Sequence, residues 1–400
     1  MNNPNDVVIV GAARTPIGKF MGSLSAIPAP QLGAVAIREA VRRAGVDPAL
    51  VDEVLMGCVV PSGMGQAPAR QAAIGGGIPP QVGAVTLNKV CGSGLKTVML
   101  AAGLIRAGDG EIYVAGGMEN MSRAPYYLPQ ARGGYRLGNG TLVDGIVHDG
   151  LWCPFMDHHM GNSAEFIAAQ YGLTRRELDD YAYHSHRKAL AAIEAGRFRD
   201  EIVPVEVPRR KGAPLRFDTD ESPRRDTSPE ALARLRPAFQ KDGIVTAGNS
   251  PGITDGAAAV VVMSRRKADE LGVHPLARIS GYAQAAVDPQ WLFIAPAHAM
   301  RRLLQRTGTA LAGYDLVELN EAFAAQVLAD GRELEKDGWD WDKVNVNGGA
   351  IALGHPIGCS GTRILVTLLY ALRQRGLKRG IASLCLGGGE AVTLAVEMEG

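Results

Sequence analysis

One local pattern occurs twice in this chain, once in each half. Cys91-Gly92-Ser93-Gly94 is followed by an apolar, helix-like run, then Gly108, then the strand-like "IYVAGG". Gly358-Cys359-Ser360-Gly361 is followed by a similar run, then Gly376, then "ASLCLGGG". Gly94 to Gly108 spans 14 positions and Gly361 to Gly376 spans 15. An ordered match of turn, helix, strand and glycines predicts two related α/β units. Their helix starts could face one shared site.

The flanking segments extend the pattern. Val7 to Val10 is a short apolar run entering a Gly/Pro-rich loop, as a buried strand would. In Gln31 to Ala44, Leu32, Val35, Ala36, Ala40 and Val41 share one helical face, and Gly45 ends the helix. Apolar runs alternating with helices predict an α/β fold with a largely parallel, buried sheet. From about Ser122 to Asn249 the chain turns polar, basic and Pro-rich around one amphipathic helix, which Thr174 and Glu177 would open as a capping box. That stretch reads as an insertion. The expected division is 1–121 with 250–275, an inserted 122–249, and 276–400.

Charge excludes some functions. With 42 basic and 41 acidic side chains the net charge is +1, which gives no electrostatic case for nucleic acid or an anionic membrane. No apolar run is expected to span a bilayer, and the first ten residues lack the charged and apolar regions of a secretory signal. The five cysteines are scattered and odd in number, with no zinc spacing, so reduced thiols in a cytoplasmic compartment are expected and no metal. There is no P-loop, no GxGxxG after a strand and no GxSxG elbow, hence no support for a nucleotide cofactor of those types.

Four residues could carry chemistry. Cys91 stands at a helix start, where free amides favour a thiolate; it is either a nucleophile or a small buried cysteine. His355, between Gly354 and Pro356, is either a general base or a turn histidine. Cys385 ends a strand beside three glycines, whose N–H groups could face an oxyanion; it is otherwise a strand cysteine. Asn320 lies where a strand meets a helix, and helix N-cap is its simpler role; holding a water or an oxyanion is the other. His158 and His159 are adjacent and have no evident third metal ligand. His184 and His186, on the amphipathic helix, read as solvated.

Taken in order, "VVIVGAARTPIG", "NKVCGSGL", "GGMENMSRAPY", "HMG", "VTAGNSPGITDGAA", "LVELNEAFAAQ", "NVNGGAIALGHPIGCSG" and "CLGGGEA" resemble the thiolase family over almost the full chain. The resemblance implies two βαβαβαββ halves in an α/β/α/β/α arrangement with an inserted loop domain. It implies coenzyme A thioester substrates, no separate cofactor, and a homodimer or homotetramer. Cys91 would be acylated, His355 would take its proton, and Cys385 would exchange a proton with the α-carbon. Asn320 would hold a water, and the N–H groups of Cys91 and Gly387 would face the oxyanion. Arg224, Ser250, His159, Met160 and Phe323 would contact the CoA thioester. The expected reaction joins two acetyl-CoA into acetoacetyl-CoA and CoA, or reverses it. A thiolase for longer 3-ketoacyl chains and a non-catalytic acyl-CoA-binding protein are the alternatives. Pro251, where a Ser is common, and Glu390, where an uncharged residue is usual, depart from the family pattern.

Overall fold

The computed structural model describes residues 6–399. Nine strands form one continuous path: β1 (Val7–Arg14), β2 (Glu53–Gly57), β3 (Gly83–Leu87), β4 (Ile112–Asn120), β5 (Thr254–Ser264), β6 (Ala277–Ala286), β7 (Leu316–Leu319), β8 (Arg379–Leu386) and β9 (Glu390–Met398). Their spatial order is β7-β8-β9-β6-β1-β5-β4-β2-β3, with the two-residue strand Gly18–Lys19 added to β5. The path is two sheets joined at a narrow seam, since β1 and β6 pair only through Val8 with Arg278 and Ile9 with Ala277.

The two sheets are built alike. In the first, the order inward is β3-β2-β4-β5-β1; in the second it is β7-β8-β9-β6, and a single parallel bridge from Val317 to Val344 stands where β3 would have its counterpart. The expectation of a largely parallel sheet is corrected. Only β2–β3, β2–β4 and β7–β8 are parallel, while β5 and β9 insert antiparallel to their neighbours. Strands buried on both faces are apolar throughout whichever way they run, so composition does not reveal direction.

Among the described residues, the eight longest of eleven α-helices are α1 (Ala29–Ala44), α2 (Pro68–Gly75), α3 (Ser93–Ala107), α4 (Met160–Gln170), α5 (Arg175–Glu194), α6 (Ala295–Thr307), α7 (Ala324–Leu334) and α8 (Ile357–Arg375). Alternation along β1 shows the layering. Val7 and Ile9 enter the core around α3 and α8, whereas Val8 and Val10 enter the core under α1 and α2. A separate cluster lies under α6 and α7, holding Met300, Leu303 and Val327. The helix pair α3 and α8 is therefore the middle layer of five. Val90–Ala107 is long and apolar enough to cross a membrane by composition, against the sequence expectation. Packing between two sheets supplies the reason, because a helix buried on most sides is apolar on most sides.

Glycines let the two middle helices meet backbone to backbone. A Cβ on Gly361 would lie 2.4 Å from the Leu95 nitrogen, and one on Gly94 would lie 2.9 Å from the Thr362 nitrogen. Thr362 Oγ1 donates to the Gly94 carbonyl across the contact at 2.8 Å. Both helices end on a left-handed glycine, Gly108 and Gly376.

The segment between β4 and β5 carries α4 and α5. The capping box of Thr174 and Glu177 opens α5. A buried ion cluster ties this segment to the end of β1: Arg14 Nε donates to Glu201 at 2.6 Å, and its two terminal nitrogens reach Asp220 at 2.7 and 2.9 Å.

The Gly94–Gly361 contact gives a stability prediction. Alanine in a helix interior gains about 1 kcal/mol in propensity over glycine. At Gly361 the backbone clash outweighs that gain, and Gly361→Ala is expected to lower unfolding free energy by roughly 2 kcal/mol or more. Gly313→Ala, with open space around its Cβ, should stay within about 0.5 kcal/mol of the parent. Denaturant midpoints of the two variants read this directly, and equal midpoints would contradict the packing argument.

Candidate active site

The middle helices start at one end of the molecule, where β3, β7 and β8 also end. Cys91 sits in the turn between β3 and α3. Val90 before it has φ of 45°, a left-handed conformation that is strained for a β-branched side chain. Side chains hold the turn in place. Asn88 Oδ1 accepts the Val90 N–H at 2.9 Å, and Ser93 Oγ accepts the Lys89 N–H at 2.8 Å while donating to the Val90 carbonyl at 2.7 Å. The helix itself begins at Ser93, two residues after the cysteine. Burial pushes the Cys91 thiol up to about 12, against the N–H groups of Gly387 and of Cys91 itself, which favour the thiolate. In the free site dehydration outweighs the amides, which favours the thiol form.

His355 occupies the short connection into α8. Gly354 before it has φ of 108°, and a Cβ there would lie 2.5 Å from Thr254 Cγ2, so glycine is needed. Ser360 Oγ donates its hydrogen to the Pro356 carbonyl at 2.9 Å and lies 2.6 Å from His355 Nδ1. With the single hydroxyl hydrogen given to Pro356, Ser360 Oγ accepts a ring hydrogen on Nδ1, and in that tautomer Nε2 keeps its lone pair. Burial pulls His355 down to about 3, with a further push from Arg363. At neutral pH the ring is an uncharged acceptor.

Cys385 alternates with Leu384 and Leu386 along β8. Those leucines enter the middle core, and Cys385 joins the cluster of Phe293 and Phe323 on the opposite face. Burial holds its thiol well above the usual range, and the Cys91 sulfur adds to that. Gly387 comes two residues later, in the turn to β9.

Asn320 does not cap a helix, which corrects the simpler sequence reading. The Ala322 N–H closes a tight turn on the Asn320 carbonyl at 3.1 Å, and α7 starts only at Ala324. Asn320 is 1% exposed, and neither Oδ1 nor Nδ2 has a protein partner. An amide left so is suited to hold a water or a ligand oxygen. Its neighbour Glu321 is fully used, accepting from Tyr181, Ser185, Asn345 and the Ile351 N–H.

Cys91, His355, Cys385 and Gly387 line one cavity of about 370 Å³, and Arg224, Ser250, His159, Met160 and Phe323 line it too. His159 stacks on Phe239 at 4.9 Å between ring centroids, and Phe323 meets Phe239 and Phe293 edge-on. This makes a rigid aromatic wall. His159 also caps α4 through Nδ1, which accepts the Gly161 N–H. The Ser250 hydroxyl donates to the Thr246 carbonyl at 2.7 Å, so its hydrogen is engaged within its own loop. Pro251 lines the same wall without a donor. A second cavity of about 700 Å³ shares Arg224, Ser250 and Gly252 with the first and adds Lys19, Arg225 and His186. Among the described residues no His/Cys/Asp/Glu group is placed to hold a metal ion.

His186 corrects another sequence reading: it is 5% exposed, not solvated, and its Nδ1 accepts the Arg224 N–H at 3.2 Å. Burial pulls it down to about 4. Glu119 was not singled out by sequence at all. Its buried carboxylate accepts the N–H groups of Val59, Val60 and Gly358 at 2.9, 3.1 and 2.9 Å, tying the first turn of α8 to the ends of β2 and β4. Burial pushes it up to about 7 despite those donors. Only its place in "GGMEN", at the end of a glycine-rich strand, was a signal.

Comparison with known proteins places this geometry. The family model of the thiolase N-terminal domain matches residues 7–266 and that of the thiolase C-terminal domain matches 273–398. The acetyl-CoA acetyltransferase of Pseudomonas aeruginosa is 59% identical over 391 residues, which is 98% of this chain and 99% of that protein. The protein of the same name from Cupriavidus necator is 57% identical over 392 residues, again 98% and 99%. The crystal structure of the Bacillus anthracis acetyl-CoA acetyltransferase superposes with a TM-score of 0.96 at 47% identity, covering 98% of this chain and 99% of that one. Two matched half-domains, relatives identical at more than half their positions and the same doubled sheet lead to one conclusion: the chain belongs to the thiolase family.

Proposed function

We propose that this protein is an acyltransferase that interconverts acetoacetyl-CoA plus CoA with two molecules of acetyl-CoA through an acylated Cys91. The observation that carries the reading is the convergence of two thiols and a neutral imidazole on one cavity, with the Gly387 and Cys91 N–H groups directed at the Cys91 sulfur. The names of the full-length relatives support acetyl-CoA as the thioester.

In the thiolytic direction, His355 Nε2 takes the Cys91 proton as the sulfur attacks the 3-keto carbon. The Cys91 and Gly387 N–H groups receive the charge that develops on the keto oxygen. The carbon–carbon bond breaks, and the departing enolate takes its proton from Cys385, which burial keeps in the thiol form. One acetyl-CoA leaves. Incoming CoA then gives its thiol proton to the Cys385 thiolate and attacks the acetyl group on Cys91. The Cys91 sulfur leaves and regains its proton from His355. Protons balance over the cycle, and condensation runs the same steps backwards. A covalent intermediate divides one hard acyl transfer into two easier ones. Asn320, whose amide has no protein partner, does not itself line the cavity and would act on the enolate oxygen only through a water.

The two cavities suit the two parts of a CoA thioester. The inner, aromatic-walled chamber takes the acyl and pantetheine groups, and the outer one offers Lys19 and Arg224 to the phosphates, while Arg225 is paired with Glu194 at 2.7 Å.

CoA-dependent thiolysis of 3-ketoacyl-CoA substrates of increasing chain length tests the reading. The four-carbon substrate should be cleaved fastest, with kcat/KM falling as the chain grows; equal or rising values for long chains would contradict it. Cys385→Ala should lose thiolysis by about a thousandfold yet still become acetylated on Cys91 by acetyl-CoA, because that step sends the Cys91 proton to His355 and the CoA thiolate can leave to solvent. Loss of both would remove Cys385 from its proposed role. Because the resting Cys91 is a thiol and His355 is neutral, His355→Ala should slow alkylation of Cys91 by iodoacetamide at pH 7 by about tenfold or more. The difference should close as rising pH ionises the thiol unaided. An unchanged rate at pH 7 would show that His355 does not receive that proton.

A further inference from the structure

The proposed reaction needs two backbone donors, Cys91 N–H and Gly387 N–H, held close together although they belong to different halves of the chain. Each stands in a turn outside the regular elements, and the side-chain hydrogen bonds that hold the Cys91 turn are all local to it. The Cys91 turn passes through the strained Val90. The Gly387 turn is three glycines long, and Gly388 and Gly389 have φ of 89° and 84°. On its outer side the glycine turn is tied by the Val287 N–H, which donates to the Gly389 carbonyl at 2.7 Å. On its inner side it faces Val90, whose Cγ1 would lie 3.3 Å from a Cβ on Gly387.

One ion pair crosses between these turns. Lys89 Nζ lies 2.5 Å from Glu390 Oε2, with the two side chains 20% and 38% exposed. Both residues close their turns. The Lys89 N–H donates to Ser93 and its carbonyl accepts the Gly92 N–H at 3.1 Å. Glu390 opens β9 and pairs with Leu386, the residue before Gly387. Glu390 is also the position singled out as departing from the family pattern. Another cation, Lys96, shares this patch, but its Nζ donates to Gln284 Oε1 at 3.1 Å.

We propose that the Lys89–Glu390 pair is a clasp that fixes the separation of the Cys91 and Gly387 N–H donors, which makes Lys89 and Glu390 positioning residues for acyl transfer in this chain. The inference rests on the function proposed above. Donors aimed at a developing oxyanion act strongly only when they are already in place, so a small drift of either turn lowers the rate without loosening substrate binding. A half-exposed ion pair contributes at most about a fivefold factor, and salt screens it. The expected effect is therefore modest and salt-sensitive, and it falls on turnover.

The test compares wild type, Lys89→Met, Glu390→Gln and the charge exchange Lys89→Glu with Glu390→Lys in thiolysis of acetoacetyl-CoA. Each single variant should lose about three- to fivefold in kcat with KM unchanged, and the exchange should recover most of it. Raising KCl to about 0.5 M should bring wild-type kcat down towards that of Glu390→Gln and leave Glu390→Gln unmoved. Single variants with wild-type kcat would overturn the clasp. So would losses that the exchange does not recover, or that appear in KM or the melting temperature instead. A wild-type chain without thiolysis would overturn the functional reading and the clasp with it, whereas a turning-over wild type matched by Glu390→Gln would overturn the clasp alone.

Discussion

Helices α3 and α8 touch where Gly94 faces Thr362 and Gly361 faces Leu95, and any side chain larger than a hydrogen at these glycines would push them apart. The cavity depends on that contact. Cys91 lies two residues before α3 and His355 two residues before α8, so the approach of the helices sets the approach of the two groups. Glu119 reinforces it by taking the Gly358 N–H of α8 and the Val59 and Val60 N–H groups in one carboxylate. A negative group at a helix N-terminus is favourable in itself. Gly117, whose Cβ would lie 2.0 Å from the Gly358 carbonyl oxygen, lets the helix settle onto β4.

Burial then determines the protonation states. Placed between two sheets and under the 121–253 segment, His355 and Cys385 are buried and Cys91 is partly buried. Dehydration raises both thiols and lowers His355, so all three rest uncharged. An uncharged site avoids the cost of isolated buried charge. In the proposed reaction charge appears only as Cys91 attacks, with the N–H donors in place for the oxyanion. Ser360 has a part in this, because its contact with His355 Nδ1 at 2.6 Å holds the ring and leaves Nε2 as the nitrogen free for the proposed proton transfer.

Much of this was legible in the sequence because it is written in local turn chemistry. Glycines at 108 and 376 marked helix ends, Thr174 with Glu177 marked a helix start, and the doubled Gly-Ser-Gly turn marked two matching halves. What was hidden depends on partners far away in the chain. Strand direction was invisible because both faces of each sheet are covered. Asn320 looked like a cap because a strand meets a helix there, but the turn at Ala322 delays the helix by a few residues. His186 looked solvated on an amphipathic helix, and the loop at Arg224 covers it. Glu119 is an ordinary residue in sequence and a buried three-way acceptor in the fold. Glu390 stood out as unusual, while its partner Lys89 is 301 positions away.

The central claim is that Cys91 carries the acyl group while Cys385, on the other half of the fold, does not. Intact-mass and peptide mass spectrometry of the protein mixed with acetyl-CoA and quenched in acid reads this directly. A single acetyl group on the peptide that contains Cys91, absent from Cys91→Ala, is the expected result. An unmodified protein, or an acetyl group on Cys385, would contradict it.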